Sequence, residues 1–298
     1  MGRQLENPYS VENMRKAYQN LKESKTWPKG EGIEITTTHL YIKFKPNNED
    51  ELAILKRDST LILYSYPLDY EIVEENDYYH DPSIPEDMPT FQYTSVKVDK
   101  KLLSGVDYEV LVNLYIPDEE KDSDQVPAEE WVDVLVNEAL RITGNLDDNA
   151  MSNGRSNGRI QGSSWRPKGR VTVWDDIARR YVPVVDLEVR ARRWFTVHKG
   201  TTDAQGNYTC DGTFKNPADY SILWEKYHFS VRSGTFGQAE HSRNDIKGDW
   251  NPTFGTVNNT VVNNSQQYYA LIFQAARDYY YGNRFGLSSP PRNSAWHP

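Results

Sequence analysis

Between Ser10 and Glu23 the apolar side chains fall at Met14, Ala17, Tyr18 and Leu21, the i, i+3, i+4, i+7 spacing of one helical stripe. Ser10 stands where an N-cap accepts from the orphan amides of a first turn, with Asn13 where a capping box prefers Glu or Gln. Trp27-Pro28-Lys29-Gly30 ends the element. From Glu34 to Lys45 the period drops to two, around Thr38, Leu40, Ile42 and Phe44, which predicts a half-buried strand. Asn48 to Arg57, carrying Leu52 and Leu55, predicts a short helix, and Leu61 to Tyr66 a strand that closes a β-α-β unit. Strand-like runs from Phe91 to Val98 and from Tyr108 to Ile116 follow a Pro-rich loop (Pro82, Pro85, Pro89). A helix is expected from Ala128 to about Thr143, between Pro127 and Gly144, with Trp131, Leu135, Ala139 and Ile142 on its inner face.

The texture changes at residues 147–168. This Gly/Asn/Ser-rich stretch, with Asn153-Gly154-Arg155-Ser156-Asn157-Gly158-Arg159 at its centre, has no periodic apolar face and is expected to be a flexible linker or loop. Alternating runs then crowd together: Arg170 to Trp174, Val184 to Arg192, Trp194 to Lys199, Asn207 to Phe214 and Tyr220 to Val231. Asp203-Ala204-Gln205-Gly206-Asn207 supplies a turn in which Gly206 takes a positive φ. Short strands at this spacing predict an antiparallel β-sandwich. A last helix runs from about Ser265 to Tyr281, with Tyr269, Ile272, Phe273, Ala276 and Tyr280 on one face and Gly282 as its stop. Its aromatic density reads as core packing, with a ligand platform as the alternative. The expected fold class is α+β: an α+β domain over 1–146, the linker at 147–168, a β-sandwich over 169–236, and a loop, aromatic helix and extended tail over 237–298.

Charge divides the chain at the same place. The formal net charge is −9, yet residues 1–150 carry 15 basic and 31 acidic side chains, net −16, and residues 151–298 carry 19 and 12, net +7. That disfavours nucleic acid as a partner of the whole chain and leaves room for an anion-binding surface in the second half. No run approaches the roughly 18 apolar residues of a membrane helix. Met1-Gly2-Arg3-Gln4 shows no basic-then-apolar signal, so the sequence reads as cytosolic or as lacking a signal already removed. A single cysteine, Cys210, excludes an intramolecular disulfide and a multi-Cys zinc site.

Catalytic signatures are missing. The chain has no G-x-x-x-x-G-K-[ST], G-x-G-x-x-G or H-E-x-x-H, and its six histidines (His39, His80, His198, His228, His241, His297) form no pair at metal-ligand spacing. His80-Asp81 sits in the Pro-rich stretch and reads as turn chemistry. Cys210 reads as a small buried hydrophobe, and the acidic run from Asp118 to Asp124 as a solvated turn, since it lacks the Gly of an EF-hand. No catalytic, metal or cofactor-binding residue is therefore assigned. Between Arg155 and Lys199, however, eleven basic residues are interleaved with Trp165, Trp174, Tyr181 and Trp194. Period two puts Arg190 and Arg192 on the polar face of their strand, opposite Val189 and Ala191. Guanidinium groups beside indole rings suit planar anionic or sugar-like ligands, so Trp165, Arg190, Arg192 and Trp194 are the candidate residues of a ligand surface or of an interface with the acidic half.

Two resemblances add to this reading. Gly169-Arg-Val-Thr-Val, Val184-Val185-Asp186-Leu187-Glu188-Val189, Thr201-Thr-Asp-Ala-Gln-Gly-Asn-Tyr and Tyr220-Ser-Ile-Leu-Trp make residues 168–234 resemble the carboxypeptidase-regulatory or prealbumin-like β-sandwich, whose members are usually non-catalytic appendages. Asn7-Pro-Tyr-Ser-Val-Glu-Asn-Met-Arg-Lys-Ala-Tyr, Thr38-His-Leu-Tyr-Ile-Lys-Phe-Lys-Pro, Pro67-Leu-Asp-Tyr-Glu-Ile, Tyr79-His-Asp-Pro and Ala275-Ala-Arg-Asp-Tyr-Tyr-Tyr-Gly resemble uncharacterised surface lipoproteins of Bacteroidetes-type bacteria, whose longer relatives continue into a zinc-peptidase-like region. The second resemblance implies a place outside the cytoplasm, at the cell surface or in the periplasm, and makes Asp58-Ser59-Thr60 a match to the short O-glycosylation pattern of such bacteria. Together they imply a non-catalytic binding or scaffold module whose partner is another envelope protein or a glycan. Two alternatives stand beside it: the pro-region-like front of a zinc metallopeptidase, and an anion or nucleic-acid binder using residues 155–199.

Overall fold

Strand β1 (His39–Lys45) lies between β2 (Gln92–Lys97) and β3 (Asp107–Leu114), antiparallel to both, with Ile42 opposite Thr94 on one side and Val110 on the other. The computed structural model describes residues 2–27, 32–72, 79–102, 105–117, 129–146, 164–233, 237–255, 264–288 and 290. The expectations for the acidic run from Asp118, for most of the linker and for the end of the tail fall outside these residues. The chain divides into two compact units, one of Met1–Asn47, Glu51–Val73 and Thr90–Gly162, the other of Asn48–Asp50, Glu74–Pro89 and Ser163–Pro298. Its fold is α+β, mostly sheet, with a helix near each end.

In the first unit, helix α1 (Val11–Glu23) begins as its sequence predicts: Ser10 Oγ accepts from the Asn13 amide at 3.1 Å. Met14, Ala17 and Leu21 are buried, and α1 packs on α3 (Glu129–Ile142), whose Leu135 and Ala139 are fully buried. Helix α2 (Glu49–Arg57) brings Leu55 against Ile42, Phe44 and Val96.

The β-α-β expectation is corrected here. Leu61 to Tyr66 makes only a single bridge, Tyr64 to Tyr93, because Leu63, Tyr64, Ser65 and Tyr66 are held by side-chain burial. Pro67 follows without an amide to continue a ladder, and Leu68 donates its own amide to the Tyr41 hydroxyl. The apolar density of this segment serves burial, not strand pairing.

The second unit is built on a four-stranded antiparallel sheet in the order β15–β10–β7–β8, from β7 (Glu188–Arg193), β8 (Thr196–Thr201), β10 (Ala218–Leu223) and β15 (Glu240–Ile246). Strand β5 (Thr172–Asp175) pairs with β6 (Arg180–Pro183), and parallel to β16 (Thr253–Phe254); β4 (Lys168–Arg170) pairs with β9 (Asn207–Thr209). Val173, Val189, Ala191, Tyr220, Ile222, Trp224 and Phe254 make one core with Ala270 and Phe273 of the terminal helix α4 (Asn264–Tyr281). Gly206 adopts φ +79°, which closes the turn before β9.

One expected strand, Tyr220 to Val231, is two arms of a hairpin. After Trp224, β11 (Glu225–Lys226) turns through Tyr227 and His228 into β12 (Phe229–Ser230). Tight hairpins favour Asn-Gly or Asp-Gly at these positions, so a Tyr-His pair gave no turn signal. Short strands β13 (Arg232–Ser233) and β14 (Gly237–Gln238) then lead to β15.

Candidate functional site

The alternation along β7 sends Val189 and Ala191 into the core and Arg190 and Arg192 to the opposite face. Each arginine there has a partner within the second unit. Arg190 Nε donates to Glu188 Oε1 at 2.7 Å, and Lys199 approaches the other oxygen at 3.4 Å. Arg192, only 4% exposed, donates to the Trp194 carbonyl at 2.8 Å and to Asp219 Oδ2 at 3.2 Å.

Trp194 and Phe195 form the turn between β7 and β8, with Trp194 at φ +53°. A bulky residue in the left-handed region is strained, and the Arg192 contact to its carbonyl holds it there. Trp165 lies on the other side of the sheet. It bridges to Phe214, donates from its indole to the Asn216 carbonyl at 3.1 Å, and packs on Tyr220 of the core. The structure therefore keeps Arg190 and Arg192 on one face and Trp165 on the other. Arg166, Arg170 and Arg193 likewise donate to the carbonyls of Cys210, Gln205 and Pro217.

On the same face as Arg190 and Arg192, Glu240 is buried. Loss of hydration pushes its carboxyl up to about 7, against the pull of Arg190 and Arg192 and with Glu225 adding to the rise. His241, next along β15, turns to the core. It stacks on Trp250 and meets the edge of Phe254, and desolvation pushes it down to about 4, with Arg243 contributing.

The remaining chemistry-bearing side chains are also in structural roles. His39 is buried against Thr38 Oγ1, His80 contacts the Ile84 carbonyl, and His198 lies beside Asp211 and Phe214. Asp81 accepts from the Ser83 amide and hydroxyl, a turn contact. Asp58 does the same for the Thr60 amide, leaving Ser59 and Thr60 exposed. Cys210 is buried, and desolvation pushes its thiol up to about 12. Among the described residues no group of three or more His, Cys, Asp or Glu is placed to hold a metal ion.

What stands out is a corner where the β11–β12 turn meets the end of α4. His228 Nδ1 and the Tyr281 hydroxyl are hydrogen bonded at 2.7 Å, and the His228 ring lies parallel to Tyr280, 5.6 Å away at 8°. Phe229 stacks on Tyr280 as well, and Tyr227 stands edge-on to His228 at 5.0 Å. Lys226 sits 5.5 Å over the Tyr281 ring and pairs with Asp186 Oδ1 at 2.6 Å; Arg277 approaches Asp186 Oδ2 at 3.9 Å. Partial burial, with Asp186 nearby, raises the Tyr281 phenol. Tyr227 is nevertheless 79% exposed and Tyr281 39%.

Sequence reasoning did not assemble this corner. Its one available signal was Tyr279-Tyr280-Tyr281 at the end of a helix whose buried apolar positions, Ala270 and Phe273, lie one to three turns earlier. No family model, curated protein or solved structure matches the chain. Among the described residues no helix is long and apolar enough to cross a membrane.

Proposed function

We propose that this chain is a non-catalytic binding module that acts outside the cytoplasm, at a bacterial surface, with the corner around Tyr227 and Tyr281 as its contact surface. One observation carries the reading. Tyr227 and Tyr281 are open to solvent while the cluster beneath them is fixed by a hydrogen bond, stacked rings and an ion pair. Aromatic side chains ordered in advance lose little freedom on binding, which is why tyrosines recur in recognition surfaces. Arg166, Arg170, Arg190, Arg192 and Arg193 of the basic stretch are engaged within their own unit, which weakens the case for a phosphate-reading surface built on them. Placement outside the cytoplasm rests on the sequence resemblance.

The test is capture of cell-envelope material by the immobilised chain, compared with the double variant Tyr227→Ala, Tyr281→Ala. Saturable retention of an envelope protein or glycan, lost in the variant, is expected. Equal retention by both proteins, or none by either, would remove the reading.

A further inference from the structure

Three features of the corner point to one class of ligand. The first is size. At 79% and 39% exposure Tyr227 and Tyr281 offer roughly 240 Å², taking about 200 Å² for a whole tyrosine. The two rings alone fall well short of the about 800 Å² that each partner gives to a stable protein interface, and are of the size of one or two sugar rings.

The second is the kind of surface. An aromatic face carries partial negative charge, which attracts the weakly positive C–H groups on one side of a pyranose, while the sugar's hydroxyls need donors and acceptors at the ring's edge. Tyr281 and His228 supply a hydroxyl and a ring nitrogen there, and Asp186 and Lys226 a carboxylate and an ammonium. The third is charge. Lys226 and Arg277 are set against Asp186 and Asp278, with Arg277 Nη1 2.8 Å from Asp278 Oδ1, so the formal charges cancel. A balanced corner gains nothing from an anionic ligand.

We infer that Tyr227, His228 and Tyr281, with Lys226 and Asp186 at their edge, form a binding site for a neutral glycan, one or two pyranose units lying on the tyrosine faces. This rests on the binding-module reading and narrows it to a ligand class. Lys226 has a double part: its contacts to Asp186 orient both groups, and its position over Tyr281 fixes the ring's tilt.

Affinity electrophoresis of the full chain tests the inference, in native gels containing galactomannan, arabinoxylan or mixed-linkage β-glucan, with polygalacturonate as the anionic control. At least one neutral polysaccharide is expected to retard the protein. Tyr227→Ala and Tyr281→Ala should each weaken that retardation about tenfold or more; Tyr227→Trp should preserve it, and Tyr281→Phe, which keeps the ring and loses the hydroxyl bonded to His228, should weaken it less than Tyr281→Ala. Should Tyr281→Ala lower the melting temperature, the exposed Tyr227→Ala decides alone. Retardation by none of the three, by polygalacturonate only, or equally in the alanine variants overturns the inference. Tyrosine-dependent capture of an envelope protein together with unretarded gels discards the glycan and leaves the binding module standing. Absence of both effects discards the two together.

Discussion

The two faces of the β15–β10–β7–β8 sheet solve the same problem by different means. On the core face, Val189, Ala191, Tyr220 and Ile222 leave water, and His241 beside them gives up its charge. On the opposite face Arg192, Ser221 and Glu240 are also buried, but there the arginines keep their charges by pairing, Arg192 with Asp219 and Arg190 with Glu188. Glu240 and His241 are neighbours in sequence, displaced in opposite directions by one cause. Dehydration penalises whichever form is charged, so it lifts an acid and depresses a base. A polar face is thus not the same thing as a wet face.

The largest effect should come from emptying the core face. Tyr220→Ala removes a fully buried ring packed on Trp165, Tyr208 and Trp250, together with the hydroxyl that donates to the Gly248 carbonyl. We expect a loss of about 3–5 kcal/mol in urea unfolding. A loss below about 1 kcal/mol would mean that this face is not the core.

Next comes the paired face. Arg192→Met keeps the bulk and strips Asp219 Oδ2 and the Trp194 carbonyl of their guanidinium, for about 2–4 kcal/mol. Arg192→Lys should recover only part, because one ammonium does not reproduce the fork. Full stability in the methionine variant would show that the ion pair is incidental.

The subtlest difference is in pH dependence. With its folded pKa raised from 4.5 to about 7, Glu240 contributes stability that is fully present below about pH 4.5 and lost as pH rises through about 7. At about 1.4 kcal/mol per pKa unit this amounts to about 3 kcal/mol. His241, lowered from 6.5 to about 4, acts in reverse: its contribution is present above about pH 6.5 and lost as pH falls through 4. The two slopes oppose each other between pH 4.5 and 6.5. Glu240→Gln should therefore expose the histidine's slope, giving a protein whose melting temperature falls more steeply on acidification than the wild type's. Parallel pH profiles for the two proteins would refute the buried-carboxyl account.

Much of this sheet was legible in the sequence. Period two along residues 184–192 assigns the two faces of β7, and the Ser10 cap and the Met14, Ala17, Leu21 stripe define α1. The period does not reveal what becomes of the polar side once folded, because dehydration of Arg192 and Glu240 depends on neighbours distant in sequence. Turns built without glycine escaped for a related reason. The Tyr227–His228 turn is held by Tyr280 and Tyr281, distant in sequence, and Trp194 at φ +53° by its near neighbour Arg192, whose guanidinium is itself placed by the distant Asp219. Nor does polarity in sequence mark exposure on α4, where Gln266 and Gln267 are buried.

Those glutamines have a consequence beyond packing. Gln266 accepts from the Trp224 indole and donates to the Glu240 carbonyl; Gln267 donates to the Trp174 carbonyl; Gln274 donates to the Pro183 carbonyl and accepts from the Val185 amide. Through three amide side chains, α4 touches the main chain of β5, β6 and β15, where β6 and β15 are the border strands of separate sheets. Main-chain groups at a sheet border invite a strand from another molecule. The helix thus fills, with its own amides, main-chain positions at two sheet borders that would otherwise stand open.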